Sequence, residues 1–253
     1  MPGFTPDSNA PTPIPTHAWR DHKFKASRQI QGFGYVESSA ASRSNTAEPD
    51  TESASTTTKT PPASHLAAGQ DPAKLWFQFQ YLEKLGLTAY AKRTLLALKK
   101  TESSSKPVYL ALLRILELEG KLSSLIELVR EMTQKFPSDL EPQNDLAYLQ
   151  LLANQDLIHS SAIAEKLVSA NPDWISFRTT LALAYLRHSE PEKAAQVYAG
   201  LKIDWPKAPP AWRAVHAAVL AASGNRSEAQ VRAKEIPISR LRREELMLIE
   251  NLL

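Results

Sequence analysis

Residues 175–207 read ISFRTTLALAYLRHSEPEKAAQVYAGLKIDWPK, and this stretch decides the fold. Leu181, Ala182 and Tyr185 recur at helical spacing, break at a turn, and are followed by Ala194, Tyr198 and Leu201 at the same spacing. The pattern predicts two helices joined by a short turn. Ala182 and Ala194 are small enough to let the two backbones approach. Tyr185 and Tyr198 are large enough to fill the gaps beside that contact. Ser189-Glu190-Pro191-Glu192 reads as a capping box with proline in the first turn. Pro206 closes the unit.

Working outward, the same text returns. Asn144-Asp145-Leu146-Ala147 aligns with Thr179-Thr180-Leu181-Ala182 at an offset of 35. Ala162, Ala164 and Leu167 supply that unit's second helix, Pro172 closes it, and Ser138 to Glu141 reads as a capping box at its start. Pro137, Pro172 and Pro206 are 35 and 34 residues apart. Ala217, Leu220, Gly224, Ala229 and Ala233 carry a following unit, with Gly224 at a helix C-terminus that wants a left-handed residue. A preceding unit runs from Pro107 to Pro137, and a degenerate one covers residues 72–100 with Trp76, Phe79, Gly86 and Tyr90. Asp71-Pro72 opens the helical text as an N-cap acceptor followed by proline. Residues from Arg240 to Leu253 read as one terminal helix that caps the stack. A repeat near 34 residues with this pattern predicts an all-α helical solenoid of four to five hairpins.

Residues 71–253 therefore resemble the tetratricopeptide repeat (TPR) family. The resemblance implies a right-handed α-solenoid whose inner face, lined by the first helix of each pair, holds a peptide or a partner surface. It implies groove positions at Arg114 and Glu117, at Asn144, Tyr148 and Leu151, and at Thr179, Leu183 and Arg187. Asn144 and Thr179 would bond the backbone of an extended peptide, Arg114 and Arg187 would grip a carboxylate, and Tyr148 would be an aromatic anchor. Subfamilies that clamp the acidic tails of chaperones need lysines and asparagines where this chain has Leu110, Arg114, Asn144, Asp145, Thr179 and Thr180. That specialised ligand is not expected.

Residues 1–70 differ. They hold eight of the eighteen prolines, and residues 38–64 are about half Ser and Thr. Such a composition buries too little apolar surface to offset chain entropy, so a disordered segment is expected. Residues 17–38 interleave Trp19, Phe24, Phe33 and Tyr35 with Arg20, Lys23, Lys25 and Arg28, either a short motif that docks on a partner or on RNA, a sticky disordered stretch, or a strand-like arm folded back on the helices.

Net charge is +3 at pH 7, with six basic and six acidic residues in the first seventy, so no dense basic patch marks a nucleic-acid binder. Cysteine is absent, which excludes disulfides and thiolate chemistry. No apolar run reaches membrane-spanning length and no secretory signal stands at the N-terminus, so a cytoplasmic location is expected. None of the six histidines has zinc-ligand spacing, no phosphate-cradling loop occurs, and Glu244-Glu245 point apart on a helix as a solvated face. No enzyme, metal or cofactor is expected. The first reading is a scaffold or adaptor with a protein or peptide partner. The second is a permanent subunit of a larger assembly, packed through the Ala-rich helix 211–222 or the terminal helix. An RNA-associated protein using residues 17–38 comes third.

Overall fold

The structure is a computed structural model that describes residues 71–101 and 105–253. The expected disordered segment 1–70 and its motif at 17–38 lie outside the described residues. Among the described residues every regular element is helical. They fall into two compact units, residues 71–119 and residues 120–253.

The first unit holds α1 (Pro72–Lys84), α2 (Thr88–Lys99) and α3 (Lys106–Glu119). Asp71 caps α1 as expected, its carboxylate accepting from the Ala73 amide at 3.0 Å. Leu75 and Phe79 of α1 and Ala91, Leu95 and Leu98 of α2 are buried. Helix α3 packs on α2, and Lys92 pairs with Glu119 at 2.7 Å.

The second unit holds α4 (Leu122–Lys135), α5 (Leu140–Leu152), α6 (Leu157–Ala170), α7 (Ile175–Arg187), α8 (Pro191–Gln196), α9 (Pro210–Ala222), α10 (Arg226–Lys234) and α11 (Arg243–Met247). Each helix packs on the next from α4 to α10, and α5 also packs on α7 and α7 on α9. First helices thus touch first helices along the row. That is how a repeat hides an apolar face no single hairpin can bury.

The backbone repeats more faithfully than the side chains. Helices α1, α3, α5, α7 and α9 each end in a left-handed residue: Gly86, Gly120, Asn154, Ser189 and Gly224 all have positive φ. Their spacings are 34, 34, 35 and 35. At four of them the next amide reaches back five residues, Leu87 to Leu82, Gln155 to Gln150, Glu190 to Tyr185 and Asn225 to Leu220, at 2.8–2.9 Å. This is the Schellman closure, which satisfies carbonyls the helix end would leave open.

Several local expectations are corrected. Ser189 is not an N-cap: it is the left-handed residue ending α7, and Glu190 precedes α8 without a side-chain cap. Asp139 rather than Ser138 caps α5, accepting from the Glu141 amide at 3.3 Å. Helix α8 stops at Gln196, and the Val197 carbonyl beyond it accepts from Arg178 instead. Residues 240–253 are not one helix. They form a 3-10 turn ending at Arg240, the short α11 and a second 3-10 turn, Glu250–Leu252. Ile249 and Leu252 of this segment are buried with Ala214, Ala217, Ala229, Ala233 and Ile236. The Ala-rich stripe of α9 is thus covered largely from within, although Ala222 at its end is exposed. Trp174 packs on Phe177, Trp205 stacks on His216 at 3.8 Å, and Trp212 is buried.

Candidate functional site

Helices α5 and α7 place six of the eight expected groove residues. Asn144, Tyr148 and Leu151 recur at steps of four and three on α5, and Thr179, Leu183 and Arg187 at steps of four on α7. Each set therefore shares one helix face. Arg114 and Glu117 belong to α3 in the other unit. Arg114 pairs there with Glu83 of α1, and Glu117 is half-buried.

The α5–α7 face is not open. Asn144, Tyr148, Leu151, Thr179 and Leu183 are all buried, and Arg187 is half-buried. The Tyr148 phenol donates to Glu245 Oε1 at 3.2 Å, and Glu245 is only 1% exposed. Glu245 also accepts from the Arg242 guanidinium at 2.6 Å and the Arg242 amide at 2.9 Å. Glu245 of the terminal segment therefore reaches the face on which the resemblance led a ligand to be expected. Burial, reinforced by the Glu245 carboxylate, pushes the Tyr148 phenol well above its usual range. It stays protonated and stays a donor.

Arg187 spans the gap between two first helices. Its Nε donates to the Leu151 carbonyl at 2.8 Å and its Nη2 to the Leu152 carbonyl at 3.2 Å. It thereby closes the C-terminal end of α5, where positive charge is favoured. Burial lowers its pKa, but a guanidinium keeps its charge. No carboxylate among the described residues pairs with it. Beside it lies a cavity of about 520 Å³, lined by Ile126, Leu152, Arg187, Glu244 and Met247 among others.

Buried hydroxyls on this face are satisfied locally. Thr179 donates to the Ile175 carbonyl at 2.8 Å and Thr180 to the Ser176 carbonyl at 3.2 Å. The Asn144 side-chain oxygen is buried with no hydrogen-bond partner among the described residues. Further along, Tyr198, Trp205 and His216 form an aromatic group, with ring centroids 3.8–5.4 Å apart. Burial, with Arg232 adding to it and Glu228 opposing it, lowers the His216 pKa to about 4. Among the described residues no cluster of acidic, His or Cys side chains is disposed to hold a metal, and no helix is long and apolar enough to cross a membrane.

First helices in contact along a row, each ended by a left-handed residue every 34 or 35 residues, decide the architecture. The fold is TPR-like. A solved structure, a thermophilic TPR protein of Thermus thermophilus, is similar at 17% identity and a TM-score of 0.45, over 72% of this chain and 97% of that chain. No family model matches the chain. No curated protein matches it either.

In this TPR-like array the residues that sequence reasoning passed over are Arg242 and Glu245. Glu245 was expected on a solvated face and is instead nearly sealed. The readable signal was the Arg242–Glu245 spacing of three at a helix start, where Glu245 reaches back to the Arg242 amide.

Proposed function

We propose that this chain is a non-enzymatic adaptor that binds a peptide or protein partner on the first-helix face formed by α5 and α7. One observation carries the reading: the face is already occupied by a peptide segment, residues 242–247, through a hydrogen bond between Tyr148 and Glu245. A surface that seats one short polar segment has the shape and donors to seat another. Helical-repeat surfaces bind through such faces, and the satisfied, internally packed helices behind it give a rigid support.

Site-specific photo-cross-linking tests the reading. A cross-linker is placed at Ser123 or Gln155, exposed residues on the rim of the cavity, or at Ile158, which is 83% exposed on α6. Partner adducts should form at Ser123 and Gln155 and not at Ile158. Adducts of equal yield at all three positions, or only at Ile158, would refute the assignment of the face.

A further inference from the structure

Phe77, Tyr81 and Leu85 follow one another at steps of four along α1 and its C-cap, and they are 71%, 58% and 54% exposed. That spacing puts them on one face. The residues in phase with them elsewhere are covered. Tyr81 stands five residues before Gly86. Five before the left-handed residues that end α3, α5, α7 and α9 stand Ile115, Leu149, Ala184 and Val219, all buried. Nine before them, in phase with Phe77, stand Ala111, which is half-buried, and Asp145, Thr180 and Val215, which are buried. Each of those helices packs on the second helix of the hairpin before it: α3 on α2, α5 on α4, α7 on α6 and α9 on α8. Helix α1 is the first element among the described residues. The face left bare on α1 is therefore the one that a preceding hairpin covers on the others, and a bare apolar face of this kind marks a docking surface. The last hairpin meets the same need from the chain's own end, where Ile249 and Leu252 are buried against alanines of α9 and α10.

The chain that precedes α1 holds one candidate cover. Between Glu37 and Asp71 the only large apolar residue is Leu66, so the text next to α1 has nothing to lay on the face. Further back, Trp19, Ala26, Ile30 and Phe33 stand at steps of seven, four and three, which is one stripe of a helix. Lys23 falls within the stripe, and its aliphatic stem can run along an apolar surface with the charge in water. Arg20, Asp21, Lys25 and Arg28 fall on the other side, as does Phe24, and Gly32 and Gly34 end the pattern. Thirty-eight residues join Phe33 to Pro72. A chain of that length reaches at most about 120 Å, whereas α1 is about 20 Å long. The stripe can therefore reach any point on the face.

We propose that residues 18–33 dock as a helix on the Phe77–Tyr81–Leu85 face, in the place that a preceding hairpin takes on the later first helices. The Trp19–Ile30 stripe meets the aromatic rings of α1. A second copy of the chain suits the face less well. Lys74 and Lys84 are exposed on α1 beside Phe77 and Tyr81, Glu83 is already paired with Arg114, and two such faces would oppose like charges. The tethered segment also meets the face at an effective concentration in the millimolar range, which a separate copy does not reach. Docking here uses none of the residues of the α5–α7 face, so it holds or fails independently of the partner bound there.

The test uses the full chain with p-benzoylphenylalanine, a photo-reactive ring, in place of Phe77, which is exposed enough to accept it. Isotopically light and heavy chains are mixed in equal amounts, irradiated, and their adducts mapped by mass spectrometry. Adducts should join position 77 to residues 18–33 of the same chain. Adducts that join light to heavy chains as often as like to like, adducts confined to other residues, or no adducts at all overturn the proposal. Hydrogen exchange gives a second readout with substitutions that lie outside the helical array. In the Trp19→Ser, Ile30→Ser chain the α1 amides should exchange about tenfold faster than in the unaltered chain, the factor set by an effective concentration about ten times the dissociation constant. Phe24→Ser, off the stripe, should leave those rates unchanged. Unchanged α1 exchange in the double variant, or equal acceleration by Phe24→Ser, overturns the docked helix.

Discussion

Helices α4 and α6 each bury one side, whereas α5 and α7 are buried nearly all round. In α4 the buried residues are Leu125, Ile126, Leu128, Val129 and Met132, a single stripe with charged residues outside it. In α5, ten of thirteen residues are buried, Asn144, Asp145 and Gln150 among them. The first kind of helix is written by apolar periodicity alone. The second has little polar side to display, so most of its polar groups bond inside, as Thr179 and Thr180 do on their own preceding turn, while the Asn144 oxygen stays without a partner among the described residues. Ser160 of α6 reaches Gln150 of α5 for the same reason, at 3.2 Å. Position in the row makes the difference: α5 lies against α4, α6 and α7, and α7 against α5, α6, α8 and α9.

The sharpest way to break this contrast is Tyr148→Ala. Tyr148 is fully buried and also bonds the terminal segment, so its truncation should cost about 3–5 kcal/mol of unfolding free energy in urea titration. A loss under about 1 kcal/mol would mean that α5 is less enclosed than described. Next comes Arg187→Met, which keeps the aliphatic stem, takes the guanidinium donor from the Leu152 carbonyl and leaves the Leu151 carbonyl with the Asn154 amide. A loss of about 1–2 kcal/mol is expected from the same titration.

A proton probes the α9 side of the row. His216 has an ordinary pKa of 6.5 and one of about 4 when folded. Above pH 6.5 it is neutral in both states and costs nothing. Between 6.5 and 4 the unfolded chain takes up a proton that the folded chain refuses, so stability falls as pH falls through that window and levels off below it. With Arg232 and Glu228 facing the ring and part of it exposed, roughly 1–2 kcal/mol should be lost between about pH 7 and pH 4.5. His216→Phe keeps a ring against Trp205 and should remove this component of the pH dependence, read as the difference between the two chains' melting temperatures across the window. The smallest effect belongs to Ile158→Ala on the outer side of α6, which should stay within about 0.5 kcal/mol. A larger loss would mean that this side is covered too.

Much of the architecture was legible because spacing survives where identity drifts. Leu181, Ala182 and Tyr185 against Ala194 and Tyr198 declared a hairpin, and the offset of 35 declared its neighbour. Asp71-Pro72 and Gly224 marked helix ends that the structure contains. Asn144 and Tyr148 lie on α5 and Thr179 and Arg187 on α7, since helical phase fixes the face a residue shares. What sits over that face was not legible. The occupant is 97 residues from Tyr148 in sequence, and its Arg-Arg-Glu-Glu text reads as solvent-loving until Tyr148 supplies the donor that lets Glu245 be buried. Ser189 misled because serine at a helix boundary serves as an acceptor cap far more often than as a left-handed joint.

That joint has a wider consequence. A methyl added at Gly86, Gly120 or Gly224 would meet no atom within 4 Å, so what these places demand is a dihedral angle and not a vacancy. Asparagine and serine meet the same demand at 154 and 189, at a modest conformational expense. A pattern tuned to glycine would find three such joints at the ends of first helices, while the backbone angles of the described residues show five.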